Sequence, residues 1–228
     1  MQPLPTGWDE ARSGLYRWET KLEIAGVEYG ESDIFSLQTS VSLYGGNSVS
    51  VGNCAAKEID LSVLPLSEIP RMAEIRVWVR PVADNVSGGW LPKGVFYIDT
   101  RETDRTSGIM TIHGYDAMLK MEQTYIEDGA DITGWPKSMN VVAADIAALI
   151  GVEIDERSVL NANYMVEAPV GYTMREVMGW IAAAHAGNWT ITDTNKLRLV
   201  GLAGALAESY DSAVLGIAIL GRMRLSKK

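Results

Sequence analysis

One feature constrains this chain more than any other: the spacing of its apolar residues changes half-way along. In the first half they recur at every second position, as in half-buried strands; in the second half they recur at helical spacing. Residues 16–24 alternate strictly. Tyr16, Trp18, Thr20, Leu22 and Ile24 face one way, and Arg17, Glu19, Lys21 and Glu23 the other. Gly26 marks a turn, and residues 27–29 suit a short return strand. Residues 33–43 form a longer β-like run ending at Tyr44-Gly45-Gly46-Asn47, where Gly-Gly supplies the positive φ of a tight hairpin. Residues 48–51 are expected to begin its return strand, and Cys54 to sit in a turn. Residues 57–64 alternate again through Ile59, Leu61 and Val63. Pro65 and Pro70 bracket a connection that cannot be interior strand. Residues 73–80 set Ile75, Val77 and Val79 against Glu74, Arg76, Trp78 and Arg80. A polar loop is expected at 84–89, then strands at 94–100 and 109–115. So many short strands with regular turn signals predict a small β-barrel or sandwich.

Beyond residue 115 the pattern predicts one or two helical turns at 115–122, then a helix over 140–150 capped by Ser138. Val142, Ile146, Leu149 and Ile150 form its apolar stripe, and Gly151 ends it. Thr173-Met174-Arg175-Glu176 is a capping box. The helix it opens carries Val177, Trp180, Ile181 and Ala184 on one stripe, with Gly187 as C-cap. A hairpin follows, 188–192 and 196–200 around Asp193-Thr194-Asn195. Residues 202–220 are rich in Ala, Gly, Leu and Ile, 216–224 suit a single strand, and the end is basic. The fold class is therefore α+β and β-rich: an arm at 1–15, a barrel at 16–122, and a small α/β domain with two helices and a hairpin at 123–200. Residues 201–228 read as the truncated or incomplete start of a further strand region.

Composition narrows the function. A hydrophobic fraction of 47% excludes disorder. A net charge of −9 argues against a general nucleic-acid binder, which needs a basic face. The single cysteine, Cys54, cannot build an internal disulfide or a cysteine zinc site. No apolar run reaches the roughly 18 residues that would span a bilayer, and residues 1–8 do not read as a secretory signal. No phosphate loop, nucleophile elbow or zinc-protease helix motif is present. His113 reads as a strand residue and His185 as a helix-terminal one, where a cation complements the dipole. The acids cluster as Asp99, Glu102 and Asp104; Glu127, Asp128 and Asp131; Glu153, Asp155 and Glu156. Each cluster sits at a turn or strand end, where solvated acids are common. Neither a catalytic pair nor a calcium loop is expected from them. No catalytic residue, metal or cofactor is expected, and the chain reads as a non-enzyme.

Seven tryptophans remain to be placed. Trp18, Trp78, Trp180 and Trp189 lie in regular elements and read as packing residues. Trp8, Trp90 and Trp135 lie in loops and are the better candidates for touching a partner. Trp78 stands among charges on the polar face of its strand, beside Arg76 and Arg80, which suggests a second burial surface. The candidate interface is therefore Trp78, Arg76, Arg80, Trp90 and Trp135.

Three stretches carry a resemblance. The first is Ser32-Asp33-Ile34-Phe35-Ser36-Leu37 with Cys54-Ala55-Ala56-Lys57-Glu58-Ile59-Asp60-Leu61. The second is Gly94-Val95-Phe96-Tyr97-Ile98-Asp99-Thr100-Arg101 with Thr111-Ile112-His113-Gly114-Tyr115-Asp116-Ala117-Met118-Leu119. The third is Gly171-Tyr172-Thr173-Met174-Arg175-Glu176-Val177-Met178, running through Gly187-Asn188-Trp189 into Lys196-Leu197-Arg198-Leu199. In order and spacing, over residues 16–200, they resemble the phage tail hub proteins, also called tail-associated or baseplate hub proteins. The resemblance implies that the barrel at 16–122 is tail-tube-like, that the small α/β domain follows it, and that a second barrel would begin near residue 201.

It also implies self-association into a trimeric ring at the tail tip of the virion, after assembly in the host bacterial cytoplasm. The implied partners are the distal tail protein, the tail tube and the tape-measure protein. DNA would be passing cargo in an acidic lumen, with no stable membrane insertion. The hub of a contractile injection or bacteriocin particle would share this architecture. A separate expectation is a carbohydrate-binding or cell-wall-hydrolysing tail-tip module, with loop tryptophans as stacking platforms.

Overall fold

The structure, a computed structural model, describes residues 3–43 and 50–201. The expected hairpin turn at 44–47, the start of its return strand at 48–49 and everything proposed for 202–228 lie outside the described residues. The order is α1 (Trp8–Ala11), β1 (Arg17–Ile24), β2 (Val27–Tyr29), β3 (Ile34–Val41), β4 (Cys54–Ala55), β5 (Lys57–Val63), β6 (Glu74–Ala83), β7 (Val86–Ser87), β8 (Leu91–Thr103) and β9 (Met110–Tyr115). A 3₁₀-helix (Ala117–Glu122) leads into β10 (Lys137–Ser138), α2 (Met139–Ile150), β11 (Glu153–Ile154), β12 (Met165–Val166), α3 (Met174–Ala184), β13 (Gly187–Ile191) and β14 (Lys196–Gly201). The chain is α+β and β-rich.

The first half makes one eight-stranded sheet in the order β2-β1-β6-β8-β9-β5-β3, with β7 paired to β6. It curls into a half-barrel. Its hollow is filled by Leu22, Ile24, Tyr29, Ile59, Leu61, Val63, Ile75, Val77, Phe96, Ile98 and Ile112, the alternate residues that the period of two selects. β2 and β3 end the sheet, each paired on one side only among the described residues.

The second half makes a four-stranded sheet, β11-β14-β13-β4, backed by α2 and α3. Trp189 is fully buried at its centre and donates from Nε1 to the Met178 carbonyl at 3.0 Å. Around it lie Val142, Ile146, Ile150, Val177, Met178, Ile181, Leu197 and Leu199. Thr173 and Glu176 form the expected capping box on α3.

The structure departs from several of the expectations. Cys54 is not in a turn: β4 leaves the first half and pairs in parallel with β13, Cys54 opposite Trp189. Ser50 and Val51 therefore do not continue a return strand. The loop expected at 84–89 is a tight hairpin through β7. Ser138 occupies the N-cap position of α2 but makes no side-chain cap bond, and Leu149 turns outward. On α3, Trp180 and Ala184 are exposed; Met174, Met178 and Ala182 complete the buried stripe in their place. Gly187 is not the C-cap. His185 caps α3, and Ala186 takes the left-handed conformation. Gly187 is required for another reason: a Cβ there would lie 2.7 Å from the Val200 carbonyl oxygen.

β8 belongs to both cores. Phe96 and Ile98 point into the half-barrel, whereas Tyr97 and Val95 pack on the helix-backed core from the sheet's other face. A strand buried on two sides reads as a continuous apolar run, as Val95 to Ile98 does.

Candidate functional site

Three of the five residues expected at an interface form one stack. On the outer face of the half-barrel, β1 and β6 place Lys21 opposite Trp78 and Glu19 opposite Arg80. The Lys21 ammonium lies 5.2 Å from the Trp78 ring centre and 5.1 Å from that of Trp90. The Arg80 guanidinium lies 4.3 Å from the Trp90 ring centre, and its Nε donates to Glu19 at 2.5 Å. Cations on aromatic faces attract the ring quadrupole, and a half-exposed stack of this kind is worth about 1 kcal/mol per contact. Arg76, exposed two residues before Trp78, donates to Glu74 at 2.5 Å. Trp135 is elsewhere. It is half-buried against the helix-backed core, edge-on to Tyr125 at 6.2 Å, with Lys137 5.0 Å from its ring.

Of the other tryptophans, Trp189 packs as expected and three reverse the expectation. Trp8, read as a loop residue, is buried and donates to the Gly89 carbonyl at 2.7 Å. Trp18 and Trp180, read as packing residues, are the exposed ones. Trp18 stacks on Trp8 and Tyr16 at 5.5 Å each, and Trp180 meets exposed Tyr172 at 4.7 Å. No signal in the alternation separates a strand face that is covered from one that is not.

The residues that carried the resemblance converge on a different place, the joint between the two cores. β8 carries a bulge at Asp99 opposite β9, where Ile98 pairs with Gly114. A Cβ on Gly114 would lie 2.5 Å from the Tyr97 carbonyl oxygen, so only glycine fits. Two residues on, Asp116 turns the chain out of the sheet. Its buried carboxylate accepts from the Lys57 and Met118 amides at 2.9 Å each. Burial pushes its pKa up to about 6, against the pull of those two amides and of the Lys57 and Arg175 charges.

Arg175 ties the joint from the helical side. It donates to the Cys54 carbonyl at 2.6 Å, the Met118 carbonyl at 3.1 Å and Glu122 at 2.5 Å. Asp193, in the β13–β14 turn, reaches back to Lys57 and, at 3.2 Å, to Lys93. Asn188, also buried, donates to the Leu43 and Ser50 carbonyls at 2.9 and 2.8 Å and accepts from the Asn53 amide at 2.9 Å. Burial pushes the Cys54 thiol up to about 12, so it is a packing residue and not a nucleophile.

The acids and histidines take local roles. Asp104 and Asp131 cap their own turns. Asp155 is held by Arg157 through three bonds, which keep its carboxyl down at about 2. His113 pairs with Asp60 at 2.8 Å. His185 bonds the Ile181 carbonyl through Nδ1 and accepts the Asn161 amide at Nε2, the pattern of a neutral ring with its hydrogen on Nδ1. That geometry replaces the cationic role expected at the helix end. No group of three or more acids, histidines and cysteine suited to a metal ion occurs among the described residues. No described helix is long and apolar enough to cross a membrane.

A curled antiparallel sheet jointed to a small helix-backed sheet is an architecture found in phage tail proteins. Two solved structures have it. One is the 43 kDa tail protein of prophage MuSo2 from Shewanella oneidensis, with TM-score 0.56 and 13% identity, covering 82% of this chain and 56% of that one. The other is a tail protein from Neisseria meningitidis MC58, with TM-score 0.55 and 12% identity, covering 81% and 51%. The likeness is one of fold, and this chain spans about half the length of either protein. The sequence matches no family model and no curated protein.

Proposed function

We propose that this chain is a structural protein of a phage or prophage tail, and that it acts as part of the hub at the distal end of the tail tube. The observation that carries the reading is the fold shared with two tail proteins over four-fifths of the chain. Two further features support an assembly role. β3 and β2 leave their outer edges unpaired among the described residues, and β3 exposes Phe35 along such an edge. Strand edges of this kind are templates for pairing with another chain. In the assembled ring, neighbouring copies cover them and complete a tail-tube-like barrel, with the Trp78, Trp90, Arg80 and Arg76 face as a second contact and Trp135 as a third.

The partners are two further copies of the chain, the distal tail protein, the tube and the tape-measure protein, with DNA as passing cargo. Its place is the tail tip of the virion. The role needs no catalysis.

Light scattering on the purified chain across concentrations tests this. A trimer, or a multiple of it, that dissociates when Phe35 becomes Lys supports the reading. A monomer at every concentration that also fails to bind purified tail-tube and distal tail proteins overturns it.

A further inference from the structure

We infer that the outer face of the small sheet holds a binding pocket for a carboxylate group, with Arg198 as its anchor. A cleft of about 550 Å³ opens on the side of β13 and β14 away from the helices. Thr190, Thr192, Thr194, Arg157, Lys57 and Arg198 line it. Thr190 and Arg198 are paired across the two strands, and Leu197 and Leu199 point the opposite way into the core.

The cations of this cleft differ in one respect. Lys57 is held by Asp193, Arg157 by both oxygens of Asp155, and Lys196 by Glu153 at 3.1 Å. The Arg198 side chain has no hydrogen-bond partner among the described residues, and its Nε is buried and unsatisfied. It lies near enough to Asp155 to help keep that carboxyl ionised, yet Asp155 is already occupied by Arg157. An unsatisfied buried N–H is costly, and a guanidinium is the side chain best shaped to take a carboxylate through two parallel bonds.

Charge selects the ligand. One unpaired cation matches one negative charge. Asp155, Glu156 and Asp193 line the same cleft and would repel a second. A monoanionic carboxylate fits, and a phosphate dianion does not. The Thr190 hydroxyl, and the one hydroxyl hydrogen left over by the Thr192–Thr194 contact at 3.1 Å, suit the remaining lone pairs of the bound oxygens. The pocket stands whether or not the chain assembles into a tail.

The test is a titration of the full chain with sodium acetate, at ionic strength held constant with sodium chloride. The readout is the Arg198 Nε–H signal and the amides of Thr190, Thr192 and Thr194 in nitrogen-15 NMR. A saturable shift is expected, weakened about tenfold in Arg198→Lys, which keeps the charge and loses the fork. Thr192→Val is expected to weaken it less and to leave the Arg198 signal responsive. A linear drift that chloride reproduces overturns the pocket. Saturation that survives in Arg198→Gln overturns the anchor, and tighter saturation by inorganic phosphate than by acetate overturns the ligand class.

Discussion

The half-barrel and the helix-backed sheet bury their cores in opposite ways. The half-barrel draws on neighbouring strands, each contributing alternate residues, and among the described residues leaves both ends of its sheet open. The small sheet gathers Cys54, Tyr97, Met118, Val142, Val177 and Trp189 from distant parts of the chain around one tryptophan. The difference lies in what each leaves at the surface. Among the described residues the half-barrel keeps two unpaired strand edges and a half-exposed outer face of stacked rings and cations. The small sheet turns its remote segments inward and joins the two halves through them.

The largest expected effect breaks the second core alone. Trp189→Ala removes a fully buried ring and its bond to Met178, and should cost about 3–5 kcal/mol. Urea unfolding should then show two transitions, with the half-barrel outlasting the helices; a single transition would mean that the cores are inseparable.

Arg175→Ala attacks the joint instead. It strips charge-assisted partners from Cys54, Met118 and Glu122, for a loss on the order of 3 kcal/mol. Arg175→Lys should recover only part of it, because an ammonium cannot span three acceptors in a fixed fork. Full recovery in the same denaturation series would reduce Arg175 to a point charge.

Asp116 gives the joint a pH dependence. Its folded pKa of about 6 lies above the unfolded 3.8, so its carboxyl favours folding most when protonated. That contribution is complete below about pH 4 and falls away as pH rises through 6. From about pH 4.5 to pH 7.5 the loss should be about 2 kcal/mol. Asp155 works in the other direction and only below about pH 4, where its salt bridge to Arg157 begins to be protonated. Asp116→Asn should flatten the slope between pH 4.5 and 7.5; an unchanged slope would place its origin elsewhere.

The smallest effect on folding sharpens the comparison from the outside. Phe35 is 58% exposed on the edge strand, so Phe35→Lys should change stability by less than about 0.5 kcal/mol. Any effect on assembly should be far larger than that, and sedimentation of the same variant would read it.

Much of the half-barrel was legible because one rule, alternation, places Leu22, Ile24, Ile59, Leu61, Ile75 and Val77 inside. The capping box on α3 and the hairpin at its end were legible for a similar reason: both are written in adjacent residues. The joint was not. Nothing near Cys54 announces that two residues cross to pair with β13, because a strand's partner 135 positions away leaves no local trace. Exposure failed likewise. Trp18 and Trp180 keep the spacing of buried residues but have no element over them, whereas Trp8 is covered by the close approach of Gly88 and Gly89. Of the expected interface, the shared face of Trp78 and Arg80 follows from the alternation, but Lys21 beside both the Trp78 and Trp90 rings depends on β1 lying beside β6.

Asn188 has a consequence for how such a chain can change. Its single amide grips the Leu43 and Ser50 carbonyls together, while its oxygen fixes Asn53. A change at Asn188 therefore acts in three places at once: on the Leu43 carbonyl just after β3, on the Ser50 carbonyl, and on the Asn53 amide that leads into β4. One side chain of the small sheet is the rivet through both plates, so the end of β3 and the approach to β4 can shift only together with it.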